Sequence, residues 1–277
     1  MEKINMDRAI STVKIQKAKI EEIIRHAGET MKENAPARSS VHRKDGIANY
    51  VTDYDVQIQQ YLIRELSSLF PGCSFFGEED TAGNSHNTEQ GFCFFIDPID
   101  GTTNYIFGYS HSCVSVGVSF DGTAVAGFVY NPYVDELYSA VRGCGAYLNG
   151  RKLRMENRSL EQGIVAYGCA RYNEADTDAL FAVTKELYLN SLSIRNGGSA
   201  ALDLCRIASG SNVAYLELKL QPYDYAAAGI IIKEAGGVIG QTDGSAITLD
   251  QPCSILAGTE KAVEQVRQIC EKYQIHQ

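Results

Sequence analysis

Phe94-Phe95-Ile96-Asp97-Pro98-Ile99-Asp100-Gly101-Thr102-Thr103-Asn104-Tyr105 is the stretch on which the reading of this chain turns. It opens as an apolar, aromatic run with the profile of a strand buried on both faces. Within two residues the character changes. Asp97 and Asp100 flank a Pro-Ile pair, and Gly101, Thr102 and Thr103 follow. Pro98 has a fixed φ and no amide proton, so the chain is expected to leave the ladder there. A buried strand that ends in two carboxylates and then frees several backbone N–H groups suits a cation held beside an anion. Asp and Gly are also ordinary turn residues, and an acidic surface turn explains the same residues. Taken alone, the stretch leaves both readings open.

Just upstream, Ser74-Phe75-Phe76-Gly77 reads as a short strand running into Glu78-Glu79-Asp80. Three adjacent acids repel one another unless they are solvated or bound to cations. Before that strand, Thr52 is a good helix N-cap with Asp55 three residues on, which predicts a helix from there to about Phe70. Its buried face is expected to carry Val56, Ile58, Tyr61, Leu62, Leu66 and Leu69, and Pro71-Gly72 ends it. Asp55 alone is explained as a first-turn acid that favours the helix dipole. Residues 6–33 predict a long amphipathic helix, with Ile10, Val13, Ile15, Ala18, Ile20, Ile23, Ile24 and Ala27 at helical spacing. Between the two helices, residues 35–49 are polar and carry Arg38, His42, Arg43, Lys44 and Asp45. Such a cationic segment in an acidic protein is either a solvated loop or a flap over an anionic substrate.

Downstream the pattern is first antiparallel and then alternating. Ser112 to Phe120, Thr123 to Asn131, Asp135 to Ala140 and a short strand within Gly143 to Gly150 read as a meander, with Asp121-Gly122 as a hairpin turn. After a polar connection over residues 151–163, strands and helices alternate to the end of the chain. Two helix starts matter for function: Gly197-Gly198-Ser199, and Pro222-Tyr223-Asp224 ahead of an apolar helix capped by Gly236-Gly237. No Gly/Ser/Pro-rich linker divides the chain, so one domain with two packed halves, 1–160 and 161–277, is expected.

Composition narrows the function classes. A chain of 277 residues can bury a sizeable core. Its net charge of −9 argues against broad nucleic-acid binding, though not against a phosphorylated small molecule. The eight cysteines form no C-x-x-C pair and lack His partners at zinc-ligand spacing, which suits reduced thiols in a cytoplasmic protein. The first residues lack the apolar region of a signal peptide, and no apolar run approaches the ~18–20 residues of a membrane span.

Glu78-Glu79, Asp97 with Asp100, and Asp224 thus fall at strand ends or helix starts. Carboxylates brought together repel or take up protons, and hard divalent cations such as Mg²⁺ resolve the conflict while also binding phosphate. The free N–H groups after Asp100 and after Gly198 would suit a phosphate, although each is also an ordinary turn or cap.

In these residues the chain resembles the inositol monophosphatase family of Mg²⁺-dependent, lithium-sensitive phosphatases. Gly77-Glu78-Glu79 is similar to its G-E-E element, and Asp97-Pro98-Ile99-Asp100-Gly101-Thr102-Thr103-Asn104 matches its signature in full. Tyr223-Asp224-Tyr225-Ala226-Ala227-Ala228-Gly229 resembles its second signature, W-D-x-A-A-G, with Tyr223 in place of Trp. The resemblance implies an α/β (α+β) layered sandwich, αβαβα, with the site where the halves meet. It implies two to three Mg²⁺ ions. Glu78, Asp97 and the Ile99 carbonyl would hold the first, Asp97, Asp100 and Asp224 the second, and a weaker third would sit near Glu78. Gly101 and Thr102 would bind phosphate through their amides. Asp55, Glu78 and the Thr102 hydroxyl would activate a metal-held water for in-line attack.

By the same resemblance, Lys44 falls on a basic segment that closes the site, and Gly198, Ser199, Ala200 and Glu217 contact the sugar or cyclitol. The implied reaction is hydrolysis of a small phosphomonoester, foremost myo-inositol 1-phosphate, by a homodimer. Relatives of the fold act on fructose 1,6-bisphosphate, histidinol phosphate or NADP. Residues 167–176 and Gln221, near the leaving group, follow the animal enzymes least. A non-catalytic regulatory or binding module of the same fold is the alternative from another class, and it would be expected to lack a metal ligand; none is missing here. An EF-hand loop fails on ligand spacing.

Overall fold

The structure is a computed structural model, which describes residues 5–34, 41–43, 50–79, 87–169, 177–273 and 275. Helix α1 (Met6–Glu33) is capped by Asn5, whose side chain accepts the Arg8 N–H, and it buries Val13, Ile20, Ile24 and Met31. Ile15 was expected on that buried face but is 79% exposed. Two positions past Val13 it points about 200° away around the helix, off the apolar stripe. A short antiparallel ladder, β1 (Val41–Arg43) with β2 (Tyr50–Thr52), leads into α2 (Asp53–Leu69). Helix α2 buries Ile58, Leu62 and Leu66 as expected, but also Asp55 and Gln59, while Val56, Tyr61 and Leu69 are only half-buried.

A seven-stranded sheet follows, in the order β3 (Ser74–Gly77), β4 (Phe92–Asp100), β5 (Cys113–Phe120), β6 (Thr123–Asn131), β7 (Glu136–Val141), β8 (Gly145–Leu148) and β9 (Arg151–Lys152). Only β3 and β4 pair in parallel; β5 to β8 form the predicted antiparallel meander, extended at one side by β4 and at the other by β9, which falls in the stretch read from sequence as a polar connection. The hairpin at Asp121-Gly122 has positive φ at both residues (45° and 74°), the geometry of a tight two-residue turn. Helix α3 (Thr102–Ile106) sits between β4 and β5. The second sheet has five strands: β10 (Ile164–Tyr167), β11 (Ser193–Arg195), β12 (Asn212–Leu220), β13 (Val238–Gly240) and β14 (Cys253–Gly258). Their spatial order is β11-β10-β12-β14-β13. Helices α4 (Thr177–Asn190), α5 (Ala200–Ala208), α6 (Pro222–Ala235) and α7 (Glu260–Lys272) connect and flank these strands.

Three apolar interfaces stack these elements into five layers, αβαβα. In the first, Ile20, Ile24, Leu62 and Leu66 of α1 and α2 meet Phe94, Ile96, Val116 and Phe128 of the larger sheet. The opposite face of that sheet, through Val129, Tyr138 and Ala140, meets Leu204 of α5 and Ile231 and Ile232 of α6. Those helices in turn meet Tyr215, Ile255 and Ala257 of the smaller sheet. On the outer side, Val165, Val213, Leu216 and Leu256 pack on Val183 and Leu187 of α4 and Val266 and Cys270 of α7. Alternate residues along each strand enter different layers, as the period of two requires.

Strand β4 departs from expectation at Pro98. Rather than leaving the ladder, it resumes pairing after a register break: Asp97 opposes Ser115 and Asp100 opposes Cys113. Three steps on β4 match two on β5, which is a β-bulge, and Pro98 is tolerated there because a bulge releases its backbone from the ladder. The bulge changes side-chain direction. Residues three apart normally face opposite sides of a sheet. Here both aspartates share the face of Ser115 and Cys113, toward the central helices.

Helix α6 presses its backbone onto that same face. An added Cβ at Gly127 would lie 2.2 Å from the Ala227 carbonyl oxygen, and one at Gly117 would lie 2.7 Å from the Ala226 Cβ. Gly229, within α6, has only Ile239 and Ile247 side-chain tips at 3.5 and 3.6 Å. Gly127→Ala is therefore expected to destabilise the fold by roughly 1–3 kcal/mol through overpacking. Gly229→Ala should stabilise it by about 0.5–1 kcal/mol through helix propensity. Urea denaturation of the two variants against the parent protein measures both signs.

Candidate active site

Six chain segments converge beyond the bulged end of β4. Carboxylate oxygens of Asp97, Asp100 and Asp224 all lie within 4.8 Å of one another. Each comes with backbone constraints of its own. Asp97 Oδ1 accepts the Ile99 N–H at 3.1 Å across the bulge. Asp224 stands in the first turn of α6, where Pro222 starts the helix, and its Oδ2 accepts the Gln221 N–H at 2.7 Å. Asp100 Oδ2 accepts the Ala201 N–H at 2.8 Å and the Ser199 hydroxyl proton, and its Oδ1 lies 3.3 Å from the Ala200 nitrogen. The first turn of α5 thus holds Asp100, with Ser199 as its N-cap.

Asp55 and Thr102 approach from one side. Asp55 Oδ2 accepts both the Thr52 N–H at 2.8 Å and the Thr52 hydroxyl at 2.6 Å, the reciprocal contact expected of a capping box. Asp55 Oδ1 lies 3.5 Å from the Thr102 hydroxyl, which donates to the Ile99 carbonyl at 3.1 Å. Glu78 follows directly on β3, its N–H donating to the Ile96 carbonyl at 3.0 Å. Gly101 has φ 86°, and an added Cβ would meet the Gly198 and His111 carbonyl oxygens at 3.0 Å, so only glycine fits this turn. Gly198, Ser199 and Ala200 therefore lie against Gly101 and Asp100. Glu217 is buried on β12, where its carboxylate accepts the Tyr215 hydroxyl. Lys44, expected on a closing segment, lies outside the described residues, as do residues 170–176 of the stretch near the leaving group.

Some of the scaffolding was not evident from sequence. Gln59, one turn after Asp55 on the same face of α2, accepts the Glu79 N–H at 3.0 Å and donates to the Glu79 carbonyl at 2.7 Å, which fixes the backbone beside Glu78. The i, i+4 spacing from Asp55 was the available signal. Asn104 donates to the carbonyls of His111 and Gly197, both at 2.8 Å, and binds α3 to the Gly197-Gly198 turn. Asp203 accepts the Gly197 N–H at 3.0 Å, with His111 Nε2 3.6 Å from its other oxygen. Nothing in the sequence pattern ties these distant residues together.

The electrostatics follow from the crowding. Burial pushes Asp97 well above the usual carboxylate range, and the charges of Glu78, Asp100, Asp224 and Asp55 push it further. Asp224 is raised by burial first and then by Asp100. Burial also raises Asp100, against the lowering effect of its bonds from Ser199 and Ala201. Among the described residues, no Lys or Arg pairs with Asp97, Asp100 or Asp224. Asp97 Oδ2 and Asp224 Oδ1 receive no hydrogen bond from the described residues. An all-oxygen set of mutually repelling carboxylates, without a Lys or Arg partner among the described residues, fits a hard divalent cation such as Mg²⁺.

Comparison with known proteins bears on the chain as a whole. The sequence pattern described as the inositol monophosphatase family matches residues 13–275. Inositol monophosphatase 2 of Solanum lycopersicum is 35% identical over 82% of this chain and 88% of its own length. A fructose-1,6-bisphosphatase/inositol-1-monophosphatase of Aquifex aeolicus is 32% identical over 89% of this chain and 91% of its own. The crystal structure of the extragenic suppressor protein suhB from Bartonella henselae superposes with a TM-score of 0.83 at 29% identity, covering 91% of this chain and 96% of that one. The chain belongs to the inositol monophosphatase family. It is accordingly a phosphatase, a phosphoric monoester hydrolase of a metal-dependent family that generally uses Mg²⁺. Among the described residues, no helix is long and apolar enough to cross a membrane.

The raised carboxylates have a pH consequence with a definite sign. Asp97 and Asp224 hold protons in the native state at pH values where the unfolded chain has lost them. Without metal, that contribution to stability is full below the ordinary carboxylate range and is lost as pH rises toward the raised native values. Mg²⁺ needs the ionised forms, so its binding releases protons and its stabilising effect grows with pH. Thermal melts should show a larger Mg²⁺-induced rise in Tm at about pH 8 than at about pH 5.5. An equal shift at both values would show that the carboxylates do not titrate with binding.

Proposed function

We propose that this enzyme hydrolyses the phosphomonoester of a small sugar or cyclitol, with myo-inositol 1-phosphate as its foremost substrate. The observation that carries the reading is the convergence of Asp97, Asp100 and Asp224 within 4.8 Å, beside Asp55 and Thr102. In this reading Glu78, Asp97 and the Ile99 carbonyl would hold one Mg²⁺, and Asp97, Asp100 and Asp224 a second, with a third near Glu78. Bound Mg²⁺ supplies charge neutralisation at the phosphate and a nucleophile generated at neutral pH.

The chain's own residues do the rest. The Gly101 and Thr102 N–H groups stand at the start of α3, without helical partners of their own, and bind phosphate oxygens. Thr102 Oγ1 lies within reach of both the Ile99 carbonyl and Asp55 Oδ1; with its one proton turned to Asp55, the hydroxyl would accept the proton leaving the nucleophile and pass its own to that carboxylate oxygen, with Glu78 as the second acceptor. Asp55 keeps its orientation because its other oxygen is bound twice by Thr52. Gly198, Ser199, Ala200 and Glu217 line the side on which the cyclitol or sugar lies. Ser199 acts there through Asp100, to which its hydroxyl is committed. Lys44 would meet the anionic substrate from the closing segment.

The mixed name of the Aquifex aeolicus relative supports a second, broader reading in which fructose 1,6-bisphosphate is also hydrolysed. The proposal includes inhibition by lithium and a cytoplasmic homodimer; eight unpaired cysteines suit a reducing compartment. Two measurements test it. Asp97→Asn should lower kcat/KM in Mg²⁺ by about 10²–10³, the equivalent of several kcal/mol of lost charge stabilisation. Near-native activity in that variant would overturn the ion assignment. A kinetic panel of inositol 1-phosphate and fructose 1,6-bisphosphate, with and without Li⁺, should show the higher kcat/KM for inositol 1-phosphate and inhibition by Li⁺.

A further inference from the structure

We propose that Tyr215 and Gly168 are positioning residues that fix the Glu217 carboxylate for recognition of the hydroxyl-bearing leaving group. The inference rests on the reading of Glu217 as a contact to the sugar or cyclitol. Tyr215 and Glu217 are two apart on β12 and so share one face of the sheet. That face is the inner one, since Tyr215 packs in the central apolar layer with Ile255 and Ala257. The ring is fully buried and Glu217 is 5% exposed. The Tyr215 hydroxyl donates to Glu217 Oε2. Burial first, and then the Glu217 charge, hold the phenol well above its usual range, so it remains a donor wherever the enzyme works.

Gly168 also lies against this carboxylate. It follows the end of β10, and its N–H donates to the Leu216 carbonyl at 2.9 Å, which sets its backbone beside Glu217. An added Cβ would lie 2.1 Å from Glu217 Oε2 and 2.2 Å from Cδ. Gly168 is absent from the residues with positive φ, so its backbone would accept alanine. What requires glycine here is the volume of the carboxylate. The side chain of Glu217 is thus held at Oε2 by a donor along its own strand and lies against the bare backbone of Gly168. Its charge reaches the metal cluster, because it is among the groups that raise Asp224. A carboxylate fixed before binding loses little rotamer freedom when it accepts a hydroxyl of the ligand. A leaving group that carries no hydroxyl gains nothing from it.

The test measures kcat and KM separately for inositol 1-phosphate and for p-nitrophenyl phosphate, whose leaving group offers no hydroxyl ring. Tyr215→Phe keeps the ring and removes the donor. It is expected to raise KM for inositol 1-phosphate about tenfold, the usual consequence of losing a hydrogen bond to a charged group. Its kcat, and both constants for p-nitrophenyl phosphate, should change little. Gly168→Ala displaces the carboxylate without removing a donor and should give the same split, which keeps the test decisive should Tyr215→Phe fail to fold. Adding Tyr215→Phe to Glu217→Gln should cost nothing further, since both act through one group. If Glu217→Gln raises KM for inositol 1-phosphate while Tyr215→Phe and Gly168→Ala leave it unchanged, the positioning role is wrong. If Glu217→Gln itself leaves that KM unchanged, the leaving-group reading of Glu217 fails, and the positioning role with it.

Discussion

The mutual repulsion of Asp97, Asp100 and Asp224 is the constraint around which this structure is arranged. Three carboxylate oxygens within 4.8 Å, two of them on buried residues, are unfavourable unless protonated or neutralised. The fold nevertheless builds the cluster from two separate devices. The bulge at Pro98-Ile99 turns Asp97 and Asp100 to one face of β4, where a regular strand would send Asp100 into the layer beneath α1 and α2. Gly117 and Gly127 let α6 lie directly on the sheet, which brings Asp224 to the same point. A site that is unstable on its own is thus imposed by well-packed layers on either side, and in the proposed reading a divalent cation would offset the repulsion that the packing enforces.

Helix starts complete the arrangement. Asp100 is held by the first N–H groups of α5, and Asp224 lies in the first turn of α6, so both carboxylates sit where helix dipoles favour negative charge. Asp55 is likewise a first-turn residue of α2. These contacts hold Asp100 by both oxygens and Asp224 and Asp55 by Oδ2, and make orientation independent of any ligand. Gln59 does the same for the Glu78-Glu79 backbone, and Tyr215 with Gly168 for Glu217. In the proposed reading, recognition of phosphate and of the leaving group would draw on groups whose positions are already fixed.

Much of this was legible in the sequence, and the reasons are local. Asp121-Gly122 between alternating strands, Thr52 with Asp55, and Pro222 ahead of an apolar helix closed by Gly236-Gly237 each encode geometry within a few residues. The structure shows each where expected. The signature from Asp97 to Asn104 identified the family. Where the reading went astray, the cause was a longer-range effect. Pro98 was expected to end pairing because its missing N–H is visible in sequence, whereas the bulge that absorbs it depends on how β5 lies alongside. Ile15 was assigned to the apolar face of α1 by hydrophobicity, although helical phase carries it to solvent. The contacts of Asn104 with Gly197, of Asp203 with His111 and of Gly168 with Glu217 join residues far apart in the chain, and no short-range pattern signals them.

The central claim is that Asp97, Asp100 and Asp224 together form a divalent-cation site. Anomalous diffraction from crystals of the protein grown with Mn²⁺, an oxygen-seeking substitute for Mg²⁺, tests it most directly. The account predicts an anomalous peak among these three carboxylates, within coordinating distance of Asp97 and Asp224. Crystals with Mn²⁺ at surface acids but no peak at that position would contradict it.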